Sequence, residues 1–135
     1  MPISQYARAF LIAAAFAPPV AGSTAVAAPS TARGQISVAQ VMEMLSKAPV
    51  ETPARHTLVA YLAGVGEAAG TLIDAAVAGE GPRLATCKGK LNLDDASVRR
   101  ALETAAPNHE RWVETAATPL IVRDMLERAG CKPAR

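Results

Sequence analysis

Aromatic side chains are scarce: Phe, Trp and Tyr together make up 4% of the 135 residues, and Trp112 is the single tryptophan. A core in this chain must therefore rest on Leu, Val, Ile and Met and on close Ala and Gly contacts, because few rings are available to fill it. Histidine is limited to His56 and His109, which lie in different segments, and cysteine to Cys87 and Cys131. With no Cys-x-x-Cys, no Cys/His ligand spacing and no His-x-x-x-His, the usual metal geometries are not indicated and no cofactor is expected. Ser37, Ser46 and Ser97 lack the Gly-x-Ser-x-Gly surroundings of a hydrolase nucleophile. Charge of one sign is missing as well: 14 Lys and Arg stand against 12 Asp and Glu, a formal net charge of +2 with no acidic or basic block. That balance leaves no electrostatic footprint for nucleic acid.

What is present begins with a leader pattern. Arg8 precedes an apolar run from Ala9 to Ala17; Pro18, Pro19 and Gly22 then break it, and Ala25-Val26-Ala27 follows. A positive start, an apolar middle and an A-x-A site are the three parts of a secretory signal peptide. The sequence thus predicts a signal peptide over 1–27, cleaved near Ala27, and a periplasmic or secreted product. The apolar run is too short to remain as a membrane anchor, which takes about 20 apolar residues. Loss of Arg8, the sole charged residue before the cleavage point, lowers the net charge from +2 to +1. The remainder is of single-domain length.

Export gives the cysteines their meaning. In an oxidising compartment an even pair persists as a bridge, so Cys87 and Cys131 are read as one disulfide; a metal site or a catalytic thiol lacks the spacing it would need. Closing a loop between positions 44 apart stabilises the fold by about 4 kcal/mol on the chain-entropy argument.

Apolar periodicity then predicts a small all-α domain of four helices. Residues 28–36, rich in Pro, Ser, Thr, Ala and Gly, read as a disordered lead-in, and 37–132 as the domain. Ser37 is a good N-cap for a first helix through Val38, Val41, Met42 and Leu45 that ends at Pro49. The second helix runs from Pro53 to Ala78 with Leu58, Tyr61, Leu62, Val65, Ala69, Leu72 and Ile73 on one stripe. Gly64, Gly66 and Gly70 inside it each cost about 1 kcal/mol relative to Ala, so either a neighbouring helix approaches closely or the helix kinks. Gly79, Gly81 and Pro82 stop it, and a polar loop with Lys88, Gly89, Lys90 and Asn92 follows Cys87. Asn92 or Asp94 caps a third helix through Val98, Ala101 and Leu102 to Ala106, before Pro107. The last helix covers Thr115 to Ala129, with Gly130 as its C-terminal cap.

Tyr61-Leu62-Ala63-Gly64-Val65 within a helix, Cys87 opening a loop, then Leu102, Pro107, Ala116-Ala117 and Gly130-Cys131 form an order that resembles the Rap/Tai immunity family. The resemblance spans Val38 to Cys131. It implies an exported helical protein, not an enzyme, whose partner is a peptidoglycan amidase effector delivered into the periplasm by a type VI secretion system. Where many members carry a further cysteine ahead of the helical tyrosine, this chain has Leu58, so the resemblance implies one bridge and no second.

Two surfaces are candidates for a partner. The loop residues Lys88, Lys90 and Asn92 are polar and tethered at one end by Cys87, which lowers the ordering cost of binding. Arg111 and Trp112 lie between the last two helices, where Trp112 either anchors a partner or closes the core; the gain from burying the ring favours the core. Asp94-Asp95 is read as capping rather than as an acid/base pair. The Ala/Gly-rich second helix offers a face for a homodimer. A periplasmic small-molecule or envelope-stress binding module on the same scaffold is the alternative function, since fold does not fix function.

Overall fold

The computed structural model of the chain describes residues 30–78 and 85–133. The signal segment 1–27 and the stop signals Gly79, Gly81 and Pro82 lie outside the described residues.

Four helices follow one another: α1 (Val38–Lys47), α2 (Thr52–Ala78), α3 (Asp95–Ala105) and α4 (Ala117–Arg128). The domain is all-α, as the periodicity predicts. A single turn of 3-10 helix, His109–Arg111, precedes α4, and a two-residue antiparallel ladder joins β1 (Ala85–Thr86) to β2 (Lys132–Pro133). Neither shows a period in the sequence, because both are too short for one.

Local chemistry sets the helix ends. Ser37 closes a capping box: its hydroxyl accepts from the Gln40 N–H at 3.2 Å, and the Gln40 side chain accepts from the Ser37 N–H at 2.9 Å. Two orphan donors of α1 are thereby satisfied. At the other end Arg55 Nε donates to the Ala48 carbonyl at 3.1 Å, so the first turns of α2 cap the end of α1. Helix α4 starts two residues later than the apolar pattern suggests. Thr115 is held in the preceding turn, its N–H donating to Arg111 and its carbonyl accepting from Val38 N–H at 2.8 Å. Within the lead-in, Thr31 accepts from Gly34 N–H and donates to the Gln35 carbonyl, and the Ile36 carbonyl accepts from Ala117 N–H. Residues 31–36 are thus a turn fastened to the start of α4.

The core lies where the four apolar stripes meet. Val38, Val41, Leu58, Val98, Leu102, Ala117, Ile121 and Met125 are each at most 1% exposed. Tyr61 bridges α2 and α4 by a 2.9 Å hydrogen bond between its hydroxyl and that of Thr118, and burial raises its pKa above the usual phenol value.

The glycines of α2 correct one expectation. A Cβ built on Gly64 or Gly70 meets nothing within 4 Å, and on Gly66 it meets only the Leu93 side chain at 3.9 Å. Among the described residues no neighbouring helix approaches them, and α2 runs from Thr52 to Ala78. Their cost in backbone entropy is not offset by packing against the described residues. Gly64→Ala and Gly70→Ala should each therefore stabilise the protein by about 0.5–1 kcal/mol, read as a higher urea midpoint. A fall in the midpoint would show that these positions pack against something else.

Candidate partner-binding site

The loop Cys87 to Leu93 joins the β-ladder to α3, and the end of α4 holds it. Gly130 adopts a left-handed φ of 65°, which a side chain would strain. That turn lets Cys131 N–H reach the Leu126 carbonyl at 2.9 Å and Gly130 N–H the Glu127 carbonyl at 3.0 Å, a Schellman termination of α4. The next free carbonyl, that of Ala129, is taken by the loop: Lys88 N–H donates to it at 3.1 Å and Gly89 N–H at 2.9 Å. A Cβ on Gly89 would meet the same oxygen at 3.5 Å, an ordinary van der Waals contact, so the approach does not depend on glycine there.

Covalent and charged contacts complete the docking. Cys87 and Cys131 form the disulfide, with an S–S distance of 2.03 Å. Arg128 Nη2 donates to the Asn92 carbonyl at 2.9 Å, while its Nε is paired with Asp124 at 2.7 Å. Leu93 packs against the core cluster. Seven residues of loop are thus pinned at the start, the middle and the end, although only the tether at Cys87 is legible in sequence. Arg128 and Ala129 carry no local signal that they grip a segment some 36 residues away.

Lys88, Lys90 and Asn92 are exposed on this frame. Neither lysine ammonium takes part in an ion pair among the described residues. Lys88 projects from backbone bonded to the Ala129 carbonyl, and Lys90 lies between that contact and the Asn92 carbonyl held by Arg128.

Arg111 and Trp112 do not join them. They sit in the 3-10 turn beyond the far end of α3, a helix of 11 residues and so roughly 16 Å long. Trp112 is half-buried against the core; its Nε1 donates to the Ala106 carbonyl at 2.7 Å, and its ring centroid lies 4.2 Å from that of His109. Its indole closes one end of the bundle, whereas Arg111 is exposed. The signal for this turn was available in Asn108, whose side chain accepts from Glu110 N–H at 3.0 Å. On α2, Val59 and Leu72 stand 60% and 57% exposed.

Asp94 ends the loop and caps α3. Its carboxylate accepts from Ser97 N–H at 2.9 Å, and the Ser97 hydroxyl oxygen accepts in turn from the Asp94 N–H at 3.2 Å. The Ser97 N–H, aided by the charge of Arg128, holds the Asp94 pKa below the usual carboxylate value. A depressed pKa means the charged cap stabilises the fold above the unfolded value, near 3.9, and that this is lost as pH falls through the folded value. Asp94→Ala should cost about 1 kcal/mol at pH 7. The gap to the parent protein should close as pH drops below the ordinary carboxylate range; a gap that persists in acid would mean the cap acts by shape alone.

Among the described residues no group of three or more His, Cys, Asp or Glu is placed to hold a metal ion, and no helix is long and apolar enough to cross a membrane. No family model, curated protein or solved structure matches the chain. The functional reading therefore rests on the geometry of the loop and on the residue order described above.

Proposed function

We propose that the chain is an exported, non-enzymatic protein-binding domain that neutralises a peptidoglycan amidase by placing the Cys87–Leu93 loop in its cleft. The observation that carries this reading is the loop itself: exposed Lys88 and Lys90 on a backbone fixed by a disulfide, the Ala129 carbonyl and Arg128. A loop ordered before binding loses little entropy on docking, so more of the contact energy remains as affinity. Its cations, in no ion pair among the described residues, also steer approach to a carboxylate-lined cleft and speed association. The amidase as partner comes from the likeness to the Rap/Tai order of residues, and the disulfide is compatible with the oxidising periplasm that such a partner requires.

The test is inhibition. Purified processed protein should form a stable complex with a periplasmic amidase effector and suppress its hydrolysis of peptidoglycan. Lys88→Glu/Lys90→Glu should weaken that complex about tenfold or more, mainly through the association rate, with the largest loss at low salt. Should no amidase bind, or should the charge-reversed protein inhibit as well as the parent at every salt concentration, the loop is not the inhibitory element.

A further inference from the structure

A second cleft lies away from the loop, between α3 and α4. Its volume is about 420 Å³, and Arg100, Thr104, Leu120, Arg123 and Glu127 line it together with Asp124. The space exists because α3 presents Ala101 and Ala105 there, side chains that stop at Cβ. Both walls are fixed, as Leu102 on α3 and Ile121 on α4 are fully buried neighbours of the lining residues.

The charges in this cleft are unevenly matched. Asp124 is committed to Arg128 at 2.7 Å, which leaves Glu127 as the one uncommitted carboxylate among the lining residues. Arg100 and Arg123 form no ion pair or side-chain hydrogen bond among the described residues. Arg100 and Arg123 line the hollow against Glu127 as the one carboxylate not committed elsewhere, so the cleft carries one cation in excess for an anionic ligand. A smaller hollow of about 230 Å³ also lined by Ala105 brings in Arg111, again without an ion pair among the described residues.

We propose that the α3–α4 cleft is a binding site for a peptide bearing more than one carboxylate, gripped by Arg100 and Arg123 and reached at its far end by Arg111. The planar guanidinium fork accepts a carboxylate through two parallel hydrogen bonds, which a lysine cannot do. Leu120 and the two alanines are apolar and are covered only by an organic carrier, so a bare inorganic anion fits less well than a peptide. The site is independent of the loop and of the amidase reading.

The experiment is a titration of isotope-labelled protein followed by amide chemical shifts, using diglutamate, diglutamine and inorganic phosphate as probes at low salt. Diglutamate should give saturable shifts confined to α3, α4 and the 3-10 turn, and diglutamine none. Arg100→Gln and Arg123→Gln should each weaken diglutamate about tenfold. Both residues are exposed, so the variants keep the parent far-ultraviolet circular dichroism, and Lys88→Glu should bind diglutamate as the parent does. The proposal is overturned if no probe saturates, if both arginine variants bind as the parent does, or if Lys88→Glu removes binding. Phosphate binding as tightly as diglutamate overturns the assignment to a peptide.

Discussion

Removing the bridge with Cys87→Ser/Cys131→Ser should cost the domain about 4 kcal/mol and lower its melting temperature by roughly 15–30 °C. The cost arises mainly in the unfolded chain, which gains the freedom of a loop between positions 44 apart. In the folded state the loop keeps its other fastenings, the two N–H donors to the Ala129 carbonyl and the Arg128 contact to Asn92. Amide shifts of the folded variant should accordingly change near the mutated residues and little elsewhere, while the urea midpoint falls steeply. Reducing agent should reproduce the effect in the parent and do nothing further to the variant. If the midpoint is unmoved, the hydrogen bonds alone hold this end of the bundle and the chain-entropy argument is wrong here.

That same end of the molecule shows why some of the structure was legible in sequence and some was not. Helix caps are local, so Ser37, Asp94 and Gly130 announce themselves through residue type and spacing, and the structure places all three at helix ends. The cysteine pair is also legible, because chemistry restricts what two half-cystines can do. Arg128 is different: its position on α4 reads as an ordinary i,i+4 partner of Asp124, and only the three-dimensional fold brings the Asn92 carbonyl to its second nitrogen. The site residues divide for the same reason. Lys88, Lys90 and Asn92 are close in sequence and share the loop, whereas Arg111 and Trp112 are placed by the length of α3, which no motif encodes.

The α2 glycines mark a different limit. Their presence in a helix signals that something compensates for lost side chains, but helical spacing cannot say whether the compensation lies inside the domain. Among the described residues nothing packs within 4 Å of a Cβ built on Gly64 or Gly70. A stripe count treats Leu72 like Leu58, yet Leu72 is 57% exposed and Leu58 1%. The 27 residues of α2 carry the periodic pattern beyond Ala69, the last buried side chain described on the helix.

Leu102 and Leu72 turn that distinction into a measurement. Leu102 is fully buried at the meeting of α3 with the core, so Leu102→Ala removes contacts on every side and leaves a cavity that fixed neighbours such as Val98 and Ile121 cannot fill. The expected loss is about 3 kcal/mol, within the range of roughly 2–5 found for buried leucines. Against a total of about 5–15 kcal/mol for a domain of this size, that loss takes a large share of the stability. Combined with the cysteine substitutions, two losses of this order should leave the chain unfolded at 37 °C. Leu72→Ala, by contrast, removes a side chain already largely in water and should change stability by less than about 0.5 kcal/mol. Urea unfolding of the three proteins decides it. Equal losses at Leu72 and Leu102 would mean that Leu72 is covered in solution, and it would then belong to an interface rather than to solvent.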